Sequence, residues 1–277
     1  PFDDLAAFRV GWSPDSRWVA FASALANRNH ALFVVDTRAA AATPPTQLTS
    51  GFANDLAPVF DPRGDYLYCL SQRRLAPVWG DIDDVWTYAN SSTISAIPLR
   101  ADVADPLDAL ALAAARGAAP VQPPAVTIET SGIEERLVTL PLPDTRIDAF
   151  SASADRLVYL ARTPRGAAGA EAGTLKAFRL GATTATELAA NVDEMQPAPN
   201  GRALVVRRGR TLAWIDIGVE GATTERALRL ETLIARVDPA QEFAQMLREA
   251  WRYHRDFFYD PSMHGQDWAQ VWRRHAE

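Results

Sequence analysis

Gly11-Trp12-Ser13-Pro14-Asp15-Ser16-Arg17-Trp18-Val19-Ala20-Phe21-Ala22-Ser23 is the stretch on which the fold turns. A close copy stands at Val59-Phe60-Asp61-Pro62-Arg63-Gly64-Asp65-Tyr66-Leu67-Tyr68-Cys69-Leu70-Ser71, with Pro14 and Pro62 48 positions apart. A third copy runs from Phe150 to Ala161 and a fourth from Pro197 to Val206, with Ala152 and Pro199 47 positions apart. In each, an aromatic or small residue enters a tight turn built on Pro, Asp, Asn or Gly. These residues preset φ or tolerate the left-handed region. A strand of bulky residues follows. In the first copy a second strand comes next, Ala31–Asp36, and then Thr46–Thr49; in the fourth, Arg202–Arg207 turns at Gly209 into Thr211–Asp216. Short strands repeating every 40–50 residues are the mark of a β-propeller blade.

The interval from Pro62 to Ala152 is 90 positions, close to two periods, and reads as a full blade plus a degenerate one. The degenerate blade draws its strands from Thr93–Leu99, Ala125–Glu129 and Arg136–Leu140. The expectation is therefore a mainly β chain: a partial propeller of about five four-stranded blades over residues 1–236, with WD40-like repeat spacing. Ala115–Pro124 and Thr163–Ala170 read as surface loops.

The character changes near residues 231–238. Asp238 can cap a helix, Pro239 suits its first position and Gln241 completes a capping box. Phe243, Met246, Leu247, Ala250 and Trp251 follow at helical spacing, and Pro261 disfavours helix in the residue before it. Asp267 opens a second helix, with Trp268, Val271 and Trp272 on its buried face. Residues 237–277 thus read as the start of a helical domain. The chain begins at Pro1 and stops at Glu277 inside a helical pattern, so both ends look cut.

The 277 residues suit one large domain or two smaller ones, and 48% apolar with 22% charged residues is ordinary for a globular chain. The net charge is −6, Lys176 is the single lysine, and no basic patch of a nucleic-acid binder stands out. No stretch is long and apolar enough for a membrane helix. Cys69 is the one cysteine, which excludes an internal disulfide and a cysteine-based zinc site, and its apolar neighbours make it a buried small hydrophobe.

The sequence contains no catalytic constellation. His254, His264 and His275 stand near Asp256, Asp260 and Asp267, but no His-Glu-x-x-His and no pair of His at i, i+4 occurs. His254 reads as packing or capping, and His264 as a turn residue bonded to backbone. Ser13 and Ser151 read as turn formers in blades, and no Gly-x-Ser-x-Gly is present. Asp81, Asp83 and Asp84 read as a solvated loop between Trp79 and Trp86, because a calcium loop needs a longer alternation of oxygen ligands. No catalytic, cofactor-binding or metal-ligating residue is assigned.

The stretch Glu249-Ala250-Trp251-Arg252-Tyr253-His254-Arg255-Asp256-Phe257-Phe258-Tyr259-Asp260-Pro261-Ser262-Met263-His264-Gly265-Gln266-Asp267-Trp268 resembles the tricorn protease family, whose corresponding helical segment reads much like EAWR…RDFFYDP.MHG.DW. Gly132-Ile133-Glu134-Glu135-Arg136 resembles that family's Gly-Ile-Glu-x-Arg blade strand. The resemblance implies a cytoplasmic serine peptidase with a six-bladed and a seven-bladed propeller, a helical domain, a PDZ domain and a catalytic domain. It implies peptide substrates, a propeller that filters their access, and possible homo-oligomers, with no nucleic-acid or membrane partner. The family's catalytic histidine follows a Ser/Thr-Ser-His type motif, and its serine and glutamate come later still. None of these motifs occurs here, so no catalytic residue carries over, and the chain alone should be inactive. Two other classes fit the repeat: a TolB-like scaffold that binds proteins, and the propeller of a prolyl-oligopeptidase-type enzyme.

Overall fold

Tight turns set the strand pairs of the first two blades. In the computed structural model, which describes residues 9–40, 43–74, 78–79, 86–87, 92–115, 125–143, 145–153, 156–163, 172–198, 203–217, 224–234 and 236–275, the Ser13 hydroxyl accepts the Trp18 N–H at 2.8 Å and donates to Asp15 at 2.6 Å. Asp61 does the same work in the second copy. Its carboxylate accepts the N–H groups of Arg63, Asp65 and Tyr66 at 3.1, 2.7 and 2.8 Å. Gly64 takes the left-handed conformation there (φ 71°), with the Val126 side chain against it where a Cβ would stand.

Burial pushes the Asp61 carboxyl up to about 6, against the three N–H bonds that favour its ionised form. Between 3.8 and about 6 the folded chain holds a proton that the unfolded chain has released. Stability from this group therefore falls as pH rises through that window. Asp61→Asn removes this dependence. In thermal melts across the window, the variant's Tm is expected to gain on the parent's as pH rises. A constant difference would count against it.

The chain divides into two compact units, Pro1–Leu228 and Arg229–Glu277. In the first, β1 (Val10–Trp12), β2 (Trp18–Ala24), β3 (His30–Asp36) and β4 (Thr46–Gln47) pair in chain order as one antiparallel blade. The second blade contains β5 (Asp55–Phe60) and β6 (Tyr66–Ser71). A separate two-stranded hairpin, β7 (Val78–Trp79) and β8 (Trp86–Thr87), interrupts it before β9 (Thr93–Pro98) and β10 (Val138–Thr139) complete it. The third blade is β11 (Arg146–Ala152), β12 (Arg156–Arg162), β13 (Gly173–Arg179) and β14 (Ala185–Val192). The fourth is β15 (Glu194–Pro197), β16 (Ala203–Arg208), β17 (Thr211–Asp216) and β18 (Thr224–Ala227).

The described residues thus form four four-stranded blades, not five. The 90-position interval is one blade with a long insertion between its third and fourth strands. Ala125–Glu129 is not a strand, because its backbone bonds sideways: Val126 N–H donates to the Asp15 carboxylate at 2.9 Å, and Val126 C=O accepts the Trp18 indole N–H at 3.1 Å. These bonds tie the insertion to the turn of the first blade. Arg136 likewise belongs to a short 3-10 turn, Glu134–Arg136, and donates to the carbonyls of Pro98 and Glu129. The insertion also contains a helix, α1 (Ala109–Ala115). Most of the two expected surface loops lies outside the described residues.

Blades adjacent in the chain are adjacent in space, and β1, β5, β11 and β15 neighbour one another in that order. Gly11 of β1 lies so close to β5 that a Cβ there would stand 2.5 Å from the Pro58 carbonyl oxygen. Three cores lie between the blades. Successive side chains of a strand point to opposite faces, and here both faces are covered. Tyr66 and Tyr68 of β6 enter the core shared with the third blade, while Leu67 and Cys69 enter the core shared with the first. In β12, Leu157 and Tyr159 face the second blade, and Val158 and Leu160 the fourth. This is why the central strands read as continuous apolar runs.

In the second unit, α2 (Pro239–Phe257) starts as the sequence indicates, with the Asp238 carboxylate accepting the N–H groups of Ala240 and Gln241. After a 3-10 turn at Met263–Gly265 comes α3 (Trp268–His275). Trp251 and Trp268 lock the two helices reciprocally: each indole N–H donates to the other's backbone carbonyl, at 2.9 and 3.0 Å. The expected buried face of α3 is only half-buried, and the stripe of Phe243, Met246, Tyr253 and Phe257 on α2 is exposed. Among the described residues no helix is long and apolar enough to cross a membrane.

Candidate functional site

Charge is concentrated where the start of β5, the end of β6 and the insertion of the second blade meet. The Arg73 guanidinium pairs with Asp55 at 2.8 Å and with Glu134 at 2.7 Å. Asp55 is fully buried, and its second oxygen accepts the Ser71 hydroxyl at 2.7 Å. Glu134 also accepts the backbone N–H and the hydroxyl of Ser50, at 2.7 and 3.0 Å, which ties the insertion to the loop between the first two blades. Burial would raise the Glu134 carboxyl, but the bonds from Arg73 and Ser50 outweigh it and hold the group below its ordinary value. Both carboxylates are occupied by this network, so it reads as a clasp. The histidine and serine search missed it. Its one legible signal was Glu134 in the Gly-Ile-Glu-x-Arg motif.

The second feature is aromatic. Trp79 and Trp86 are cross-strand partners on the β7–β8 hairpin, with ring centres 4.9 Å apart and planes at 75°. They are 46% and 53% exposed. The Asp81, Asp83 and Asp84 positions between them lie outside the described residues.

The remaining candidates separate. Cys69 is fully buried and free, and burial pushes its thiol well up. Ser13 is a turn former, but Ser151 is a buried strand residue of β11, opposite Val158, because the turn lies two positions later. His254 is exposed on α2 with Nδ1 2.8 Å from the Ala250 carbonyl. His264 bonds to side chains rather than to backbone: Nε2 lies 2.5 Å from the Tyr259 hydroxyl and Nδ1 3.3 Å from Asp260. Asp260 also accepts the N–H groups of Ser262 and His264, and its carboxyl is held below the ordinary value by the bonds from Ser262 and His264. His275 is exposed in the last turn of α3, Asp256 pairs with Arg255, and Asp267 accepts the Gln270 N–H. Among the described residues no group of three or more His, Cys, Asp or Glu side chains is arranged to hold a metal ion.

Residues 239–277 match the sequence model of the Tricorn protease C1 domain. The chain is 29% identical over 296 aligned positions to tricorn protease homolog 2 of Streptomyces coelicolor, covering 98% of this chain and 24% of that protein. It is 23% identical to a tricorn-like protease C-terminal subunit of Sulfurisphaera tokodaii, covering 95% of this chain and 30% of the relative. The chain therefore spans about a quarter to a third of the curated relatives it matches. Its fold superposes on the crystal structure of the tricorn protease with a TM-score of 0.76 at 17% identity, over 97% of this chain and 26% of that one. Helical segment, relatives and propeller agree: the chain is similar to a stretch of the tricorn proteases that holds propeller blades and the start of the C1 domain.

Proposed function

We propose that this chain is the propeller and the opening of the helical domain of a tricorn-like serine peptidase that degrades peptides, with the propeller admitting or guiding the substrate. One observation carries the reading: the fold match to the tricorn protease covers 97% of this chain at a TM-score of 0.76. Residues 1–236 are the blades in this reading, and 237–277 begin the helical domain. The parent is cytoplasmic, takes peptides as substrates and assembles with copies of itself.

Peptide hydrolysis by a serine enzyme needs a hydroxyl activated by a histidine that a third group orients. The hydrogen bonds of His30, His254 and His264 run to Asn54, to the Ala250 carbonyl and to Tyr259 with Asp260. The acyl-enzyme chemistry is therefore assigned to other residues of the parent, and this chain supplies access and support. Purified alone, it is expected to leave fluorogenic peptides intact, while the parent protein cleaves them. Turnover by the pure chain that disappears on substituting one of its own residues would overturn this assignment.

A further inference from the structure

The helix α2 has a wide apolar face, and α3 covers one border of it. There Trp251 stacks on Trp268 with ring centres 6.5 Å apart and meets Trp272 at 5.4 Å. Along the rest of the face stand Phe243, Met246, Ala250, Tyr253 and Phe257, at successive intervals of three, four, three and four residues. All five are exposed, the four larger ones by 59–66%. The Tyr253 and Phe257 rings pack on each other with centres 5.2 Å apart, so this end of the stripe is already ordered. A 3-4 alternation is the spacing of a seam between two helices, where each residue enters a hole on the partner. A stripe of about four turns left in water is a surface suited to burial against another helix.

The flank of the stripe carries charge of one sign. Glu242, Glu249 and Asp256 repeat every seven residues, each one position before Phe243, Ala250 and Phe257. The helical repeat sets them in a row along the border that faces away from α3. Glu249 pairs with Arg252 at 3.0 Å and Asp256 with Arg255 at 2.6 Å, and both pairs are exposed, where an ion pair is weak and open to exchange. Flank charges set which helix pairs with which, and in which direction. A second copy of this chain is a poor fit. Packed antiparallel, it sets its own carboxylate row against this one; packed parallel, it offers Leu247 and His254 to the row. A helix with arginine or lysine on its flank is complementary instead.

We propose that the α2 stripe over residues 243–257 seats a further helix of the parent protein, one with an apolar stripe and a basic flank. The parent is the source because the match to the Tricorn protease C1 domain opens at residue 239, the first of α2, and the chain spans only 24–30% of the Streptomyces coelicolor and Sulfurisphaera tokodaii relatives. The proposal rests on the reading of 237–277 as the opening of a helical domain and adds the chemistry of the helix that covers it.

In the 277-residue chain, Ala250→Cys is expected to alkylate at the rate of a free thiol, read at residue 250 by mass spectrometry, while Cys69 is fully buried. In the parent protein the same cysteine should react about tenfold more slowly or less, because the seated helix must open first. A photoreactive benzoylphenylalanine in place of Tyr253 in the parent should cross-link to an arginine- or lysine-bearing helix of the same chain, outside the present 277 residues. Reversing the row with Glu242→Lys/Glu249→Lys/Asp256→Lys should unseat that helix and return the alkylation rate to that of the shorter chain. Glu242→Gln/Glu249→Gln/Asp256→Asn should raise the rate less, and serves as the second variant if the first does not fold. Equal alkylation in the chain and in the parent would overturn the proposal. So would a cross-link into the present 277 residues, into a second copy or into another protein, or a rate that neither charge variant moves. Labelling and cross-linking are read without cleavage, so an inactive parent would sink the peptidase reading and leave these results standing.

Discussion

Phe178→Ala is expected to lower the unfolding free energy of the propeller unit by about 3–5 kcal/mol, the range for removing a fully buried phenylalanine from a packed core. Phe178 on β13 is completely buried in the core between the second and third blades, among Tyr66, Tyr68, Phe150, Leu157 and Tyr159. Its neighbours come from β6, β11 and β12, strands that pair firmly within their own blades, so they cannot close over the space. The cost therefore includes a cavity as well as lost transfer energy. Chemical denaturation of the purified chain measures it. Because the core joins two blades, the variant should also expose backbone amides of β9 and β12 to hydrogen exchange before those of β16. A loss below about 1 kcal/mol, the level of an ordinary substitution, would mean that the blades do not share this core.

Arg73→Ala is expected to cost a similar amount, about 3–5 kcal/mol, by a different route. The substitution strips the counter-charge from Asp55, which is completely buried and keeps the Ser71 hydroxyl as its remaining partner. A buried carboxylate left without its cation retains the full cost of leaving water. The loss also frees Glu134, whose bonds to Arg73 and Ser50 hold the insertion against the first blade. The pH dependence separates this from simple truncation. The Glu134 carboxyl is lowered in the folded chain, so its contribution is present above its unfolded value of 4.5 and fades as pH falls through the folded one. Arg73→Ala should flatten that acid-side decline, because its main source is gone. Arg73 bonds both carboxylates through the single nitrogen Nη2, and Arg73→Lys, whose shorter side chain does not carry its ammonium as far, should recover only part of the loss. Full recovery by lysine would show that charge alone matters.

The repeat was legible because tight turns leave local signatures. Ser13-Pro14-Asp15 and Asp61-Pro62-Arg63-Gly64 bond to backbone within five residues of themselves, so their chemistry is visible without any tertiary contact. The start of α2 was legible for the same reason, since Asp238 caps its own helix. The blade count was not. Thr93–Pro98 pairs with β6 across the hairpin and with Val138–Thr139 across the insertion, and neither partner is fixed by local spacing. Two periods of length were filled by one blade and its insertion. Ser151 was placed in a turn because the third copy lacks the proline that marks the turn in the first two.

By itself, then, the amino-acid order determined the kind of unit: a short antiparallel blade entered by a Pro, Asp or Gly turn, followed by a capped helix with tricorn-like residues. Tertiary structure alone decided how many blades those units make, which strand closes the second blade, and that Asp55, Arg73 and Glu134 meet. It also set Trp79 edge-on to Trp86 on a hairpin outside every core. The reason is the range of the forces involved. Turn and cap hydrogen bonds close within a few residues, and their signals are written contiguously. Strand closure, buried ion pairs and inter-blade packing join residues tens of positions apart, and only the folded backbone brings those to within bonding distance.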